Sequence, residues 1–131
     1  MTEFKKEDYI KYRLAKADET LEAAEVLLRS KLWNSTVNRL YYSCYYAVNA
    51  LLLQNEILAK SHTGVKSQFF LNFVKSGKIP KELGKLYADL FDARQKGDYN
   101  DLYDFEEQSA TLLRDGSVKL ILKIKELIIS R

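Results

Sequence analysis

Residues 38–53, NRLYYSCYYAVNALLL, decide the fold. Together with Val37 just before them, Tyr41, Cys44, Val48, Leu51 and Leu52 recur at intervals of three and four, which is the buried face of an α-helix. A half-buried strand would need strict alternation, and the stretch has none. At about 100° per residue, Arg39, Tyr42, Tyr46 and Asn49 fall on a second stripe nearly opposite the first. A solvent-facing stripe normally carries Lys and Glu. This one carries a guanidinium, two phenols and an amide, the mixture of flat apolar area and directed hydrogen bonding found at interfaces and nucleotide-contacting surfaces. The same residues also fit a helix buried on all sides, with Arg39 reaching out to water.

The helical reading extends in both directions. Upstream, Ile10, Leu14, Ala17, Leu21, Ala24 and Leu28 form one stripe, predicting a first helix over about 7–30. Asn34 or Ser35 would cap the helix that contains the tyrosines, which runs to about Asn55. Downstream of a polar connector, Val65, Phe69, Phe70 and Phe73 share the face of a shorter helix ended by Ser76 and Gly77. Pro80 suits the first turn of a fourth helix, which buries Leu83, Leu86, Tyr87, Leu90 and Phe91 and is expected to stop at Gly97. A last helix, from about Asp104 to Ile129, turns Leu113, Leu120, Ile121, Ile124 and Ile128 inward, with Gly116 and Ser117 permitting close approach of a neighbour. The expected architecture is all-α, an antiparallel four-to-five-helix bundle forming a single domain over residues 1–131.

Composition narrows the function classes. One proline and five glycines in 131 residues leave little room for hairpins. The single Cys44 excludes an internal disulfide, and MTEFKKEDYIKYR lacks the apolar run of a signal peptide, so the expected setting is cytoplasmic. The most apolar stretches are broken by Asn49 and by Lys119, Lys123 and Lys125, short of the roughly 20 uncharged residues of a membrane span. A net charge of +3 does not by itself identify a nucleic-acid partner, because phosphate binding depends on where cations cluster. The lysines of the last helix would steer RNA weakly, or simply solvate that face. Asp98, Asp101 and Asp104 recur every three residues, yet they lie among turn formers, and no metal site or cofactor is expected.

Arg94 stands apart. It lies four residues after Leu90 and three after Phe91, so it continues their apolar stripe inward. A buried guanidinium cannot neutralise itself by losing a proton and needs an anion. Asp98, Asp101 or Asp104 would supply one from within the chain; alternatively, the site is open to a phosphate whose charge Arg94 stabilises.

The tyrosine-rich stretch of residues 38–52, followed by SHTGVKSQFFLNFVKSGKIPKELGKLYADLFDARQKGDY, resembles the HEPN superfamily of small helical proteins and specifically its UPF0332 branch. The resemblance covers about residues 10–129. It implies a four-to-five-helix bundle that homodimerises. It further implies a metal-independent ribonuclease, frequently the toxin of a pair whose partner is a minimal nucleotidyltransferase. The family signature, Arg followed after four to six residues by His in a cleft at the dimer interface, maps here onto Arg94 and Tyr99, with Asp98 between them. Tyr99 departs from the pattern: a phenol with a reference pKa near 10 is a poorer general base than His by about 3 units. The sole His62, in KSHTGV, is the other candidate for the missing imidazole, or else a capping residue. The expected function is RNA or nucleotide binding with Arg94, Asp98 and Tyr99 at the centre and Arg39, Tyr42, Tyr46, Asn49 and His62 around them. The alternative is a non-catalytic module that pairs with a nucleotidyltransferase and is modified on Tyr99.

Overall fold

The computed structural model describes residues 5–99 and 103–129, and of Tyr99 only the backbone. Five helices follow one another: α1 (Lys6–Arg29), α2 (Trp33–Gln54), α3 (His62–Phe69), α4 (Lys81–Tyr99) and α5 (Glu107–Ile129). No strand occurs among the described residues, and none of the described helices is long and apolar enough to cross a membrane.

Helix α2 is the central element. Eleven of its 22 residues are buried, and it packs against every other helix. Each of the six positions of the expected face, Val37 to Leu52, is at most 2% exposed. At roughly 1.5–3 kcal/mol for each large side chain removed from water, this face contributes a large share of the driving force for folding. Helix α1 lies along α2 through Ile10, Ala17 and Ala24, with Thr20 also buried and its hydroxyl donating to the Lys16 carbonyl at 2.6 Å. A turn through Lys31, at φ 62°, joins the two helices.

Three boundaries and one helix's winding differ from expectation, each for a physical reason. Asn34 does not cap α2; it lies in the first turn, where its Nδ2 donates to the Tyr103 carbonyl at 3.0 Å and its Oδ1 accepts from the Phe105 N–H at 2.8 Å. It thus ties the α4–α5 connector to the bundle. Gly97 does not end α4, which continues to Tyr99. A Cβ on Gly97 would stand 3.2 Å from the Phe105 ring, so the glycine makes room for that ring. Helix α5 starts at Glu107, three residues later than expected, because residues 103–106 serve in that tie. Finally, α3 passes into a π-helical turn over Phe70–Val74, which keeps Val65, Phe69 and Phe73 on the buried side. It ends at Gly77, whose φ of 85° favours glycine.

Gly116 works as the sequence suggests. A Cβ there would collide with the Leu86 side chain, so the missing methyl lets α5 settle on α4. Cys44 is fully buried and its thiol is pushed up to about 11 by that burial, which makes it a packing residue rather than a nucleophile.

Candidate phosphate-binding site

The site forms where the last turns of α4 meet the first half of α2 and the start of α3. Arg94 is only 9% exposed. Its Nη1 donates to the Tyr42 hydroxyl at 3.0 Å, and its guanidinium carbon lies 5.0 Å from the Tyr41 ring centroid and 5.7 Å from that of Tyr42. Such cation–aromatic contacts lower the cost of burying the charge without neutralising it. The nearest described carboxylate, Asp98, is 4.0 Å away, at the outer limit of an ion pair, and Nε has no hydrogen-bond partner among the described residues.

Asp98 is held elsewhere. Both its oxygens accept from Asn38 Nδ2, at 3.2 and 3.3 Å. The other end of the Asn38 amide accepts from Arg39 Nε and Nη2 at 3.1 and 2.8 Å, and Arg39 lies 5.0 Å from the Tyr42 centroid. Two guanidinium groups therefore flank a single phenol, with one partly exposed carboxylate between them. A cleft of about 450 Å³ opens beside them, between Asn34, Asn38 and Arg39 on α2 and Gly97 and Asp98 on α4. Arg94 is not on its wall; it sits one helical turn behind Asp98.

Helix α3 closes the other side. Ser61 caps it by accepting from the Gly64 N–H at 2.8 Å, which places His62 in the first turn. The His62 ring stacks on Tyr45 at 4.5 Å, meets Tyr42 edge-on at 5.9 Å, and has Nδ1 2.7 Å from the Tyr41 hydroxyl. Burial, reinforced by the Arg94 charge, lowers the His62 pKa below its ordinary 6.5. Burial also pushes the Tyr41 phenol up to about 12, against the opposing pull of Tyr87 and Arg94. At neutral pH the imidazole is thus uncharged and the phenol holds its proton. One turn along α3, Lys66 lies over Phe91 at 4.6 Å. The structure thus gathers Arg39 and Arg94 around the tyrosines, with Lys66 over Phe91 nearby, in a pattern of cations interleaved with aromatics.

A HEPN domain model matches residues 10–127 of the sequence. The chain belongs to the HEPN family. Its relatives include a UPF0332 protein of Thermotoga maritima, 44% identical over 104 residues that make up 79% of each chain. A candidate toxin of Methanocaldococcus jannaschii is 34% identical over 118 residues, 90% of this chain and 80% of the other. A second candidate toxin from that organism is 32% identical over 102 residues, 78% of this chain and 76% of its own.

Within this HEPN bundle the residues singled out from the sequence divide into three groups. Arg94, Asp98, Arg39, Tyr42 and His62 come together. Tyr46 touches the group only through the edge of Tyr45, and Asn49 is engaged in its own helix, its Nδ2 donating to the Tyr45 carbonyl at 2.8 Å. Asp101 and the Tyr99 side chain lie outside the described residues. Asp104 accepts from Asn34 at 3.4 Å rather than approaching Arg94. No group of three or more His, Cys, Asp or Glu among the described residues is placed to hold a metal. Of the α5 lysines, Lys125 pairs with Asp18 at 2.7 Å and Lys123 with Glu126 at 3.4 Å, which answers their charge within the bundle.

Sequence reasoning missed Asn38, Tyr41, Tyr45 and Lys66. Tyr41 was assigned to the core, where it does lie, but its hydroxyl points at His62. Lys66 had a signal, its i, i+4 spacing from His62, which places both on one face of α3. The Asn38 amide had none, because its role depends on α4 ending beside it.

Proposed function

We propose that this HEPN protein binds RNA or a nucleotide through phosphate, with Arg94 as the central cation, Arg39 and Lys66 assisting, and Asp98 as a displaceable internal counter-ion. The observation that carries the reading is the state of Arg94: nine-tenths buried, held by rings and a phenol, with Nε unpaired and its only nearby described carboxylate diverted to Asn38. A guanidinium kept for structure alone would be expected to have a close carboxylate, because a buried unpaired charge is costly. A phosphate that displaced Asp98 would accept a charge-assisted hydrogen bond from the guanidinium and lower that cost.

The names of the two archaeal relatives favour a toxin-type role, and the resemblance to metal-independent HEPN ribonucleases suggests the chemistry. There, Arg94 would stabilise charge on the phosphate as the neighbouring 2′-hydroxyl attacks, with Tyr99 orienting it. The same resemblance supports a homodimer acting in the cytoplasm, paired with a minimal nucleotidyltransferase that would hold it in check. Anisotropy with a labelled mixed-sequence single-stranded RNA, wild type beside Arg94→Ala, tests the binding. Retained affinity in the variant would remove the proposal. Incubation of the same RNA in EDTA tests cleavage: products from the wild type and none from Arg94→Ala support the ribonuclease, and an intact RNA leaves a binding protein. Light scattering at tens of micromolar tests the dimer, and a monomer contradicts it.

A further inference from the structure

The hydrogen-bond arrangement around His62 says what that residue does in the proposed phosphate site. Tyr41 is fully buried, and its hydroxyl proton needs an acceptor. The acceptor within reach is His62 Nδ1, at 2.7 Å. On the far side the buried Tyr87 hydroxyl has no hydrogen-bond partner among the described residues. Donation from the Tyr41 hydroxyl to His62 Nδ1 satisfies that buried Tyr41 proton within the described residues. An imidazole that accepts at Nδ1 and is uncharged carries its hydrogen on Nε2.

We propose that His62 contacts the ligand as a neutral hydrogen-bond donor through Nε2–H, with Tyr41 fixing the tautomer, and that it is not the base that replaces the absent family histidine. The inference rests on the phosphate-binding reading and adds to it. The ring is half-exposed, and its Nε2 makes no hydrogen bond with any described residue. It meets edge-on the same Tyr42 ring whose oxygen accepts from Arg94, so a donor on Nε2 stands beside the Arg94–Tyr42 pair. Such a site favours a ligand that accepts, namely a fully ionised phosphodiester or phosphate, and His62 itself offers no lone pair to take a proton from a ribose hydroxyl.

Among the described residues the groups facing His62 are Tyr41, Tyr42 and Tyr45 from α2 and the Arg94 charge from α4, with no carboxylate among them. This surrounding disfavours the imidazolium. Because the folded pKa lies below the unfolded 6.5, the neutral ring's contribution to stability is complete above pH 6.5 and is lost as pH falls through the folded value.

Two measurements test the assignment. Long-range ¹⁵N–¹H spectra of the imidazole in the free protein should show the Nε2–H tautomer, titrating below 6.5; an Nδ1–H tautomer at neutral pH overturns the proposal whether or not RNA binds. Affinity for a short single-stranded RNA should fall about tenfold in His62→Ala and stay within about threefold of wild type in His62→Gln, whose amide restores a donor but no base. Equal loss in both variants, or RNA cleavage by the wild type that His62→Gln abolishes, contradicts it. If Arg94→Ala leaves affinity unchanged, the phosphate reading fails on its own account and the spectra still decide the tautomer.

Discussion

Two arginines in this bundle meet opposite fates. Arg114, on α5, donates through Nη1 to both oxygens of Glu25 at 3.1 and 3.0 Å; its Nε, like that of Arg94, makes no hydrogen bond among the described residues, but it has the Asp115 carboxylate 2.9 Å away. With the Lys125–Asp18 pair one seam further, it clips α5 to α1. Arg94 is more deeply buried and has less: one phenol, two ring faces and a carboxylate at 4.0 Å. The same side chain thus closes its electrostatics inside the fold at one end and leaves it open at the other. Burial raises the cost of an unbalanced charge, so the deeper arginine ought to be the better paired. That it is not is what the proposed phosphate-binding reading accounts for.

The widest separation between the two arginines should appear in RNA affinity. Arg94→Ala removes a charged donor worth roughly 1.5–3 kcal/mol, so binding of single-stranded RNA should weaken about 10- to 150-fold by anisotropy, with the helical circular dichroism unchanged. Arg39→Ala should cost less, about fivefold, since Arg39 is more exposed. Its clearer signature is in salt: the slope of log affinity against log salt should become shallower by about 0.7, the loss of one phosphate contact to a single strand. An unchanged slope would place Arg39 outside the site. Asp98→Asn should tighten binding about threefold by removing the competing anion; weaker binding would make Asp98 a ligand contact and not a counter-ion. Arg114→Ala inverts the pattern. It should lower unfolding stability in urea by about 1 kcal/mol, because its pair is only partly buried, and leave RNA affinity within twofold. A matching loss of RNA affinity would mean that the two ends do not differ in kind.

The bundle was legible in the sequence because burial writes a period. Val37, Tyr41, Cys44, Val48, Leu51 and Leu52 announce the central helix, and the stripe on α1 announces its partner. The helix ends were less legible, since Gly97 and Asn34 are used for tertiary contacts with Phe105 and Tyr103 that no local pattern contains. The inward aim of Arg94 could be read from its register with Leu90 and Phe91. What surrounds it could not. The diversion of Asp98 to Asn38 joins residues 60 positions apart, and the Tyr41–His62 hydrogen bond depends on α3 docking its first turn against the middle of α2. Periodicity reports which face is buried, whereas hydrogen-bond partners across helices are set by the packing that results.

The Arg94 Nε–H itself offers the most direct test, because it is buried and has no partner in the free protein. Its ¹⁵N–¹H resonance, assigned by its absence in Arg94→Lys, should shift and exchange more slowly with water as single-stranded RNA is added, while the Arg114 Nε–H stays in place. An Arg94 signal that remains unmoved at saturating RNA, with other resonances shifting, would show that the ligand binds elsewhere and that this guanidinium serves only the fold.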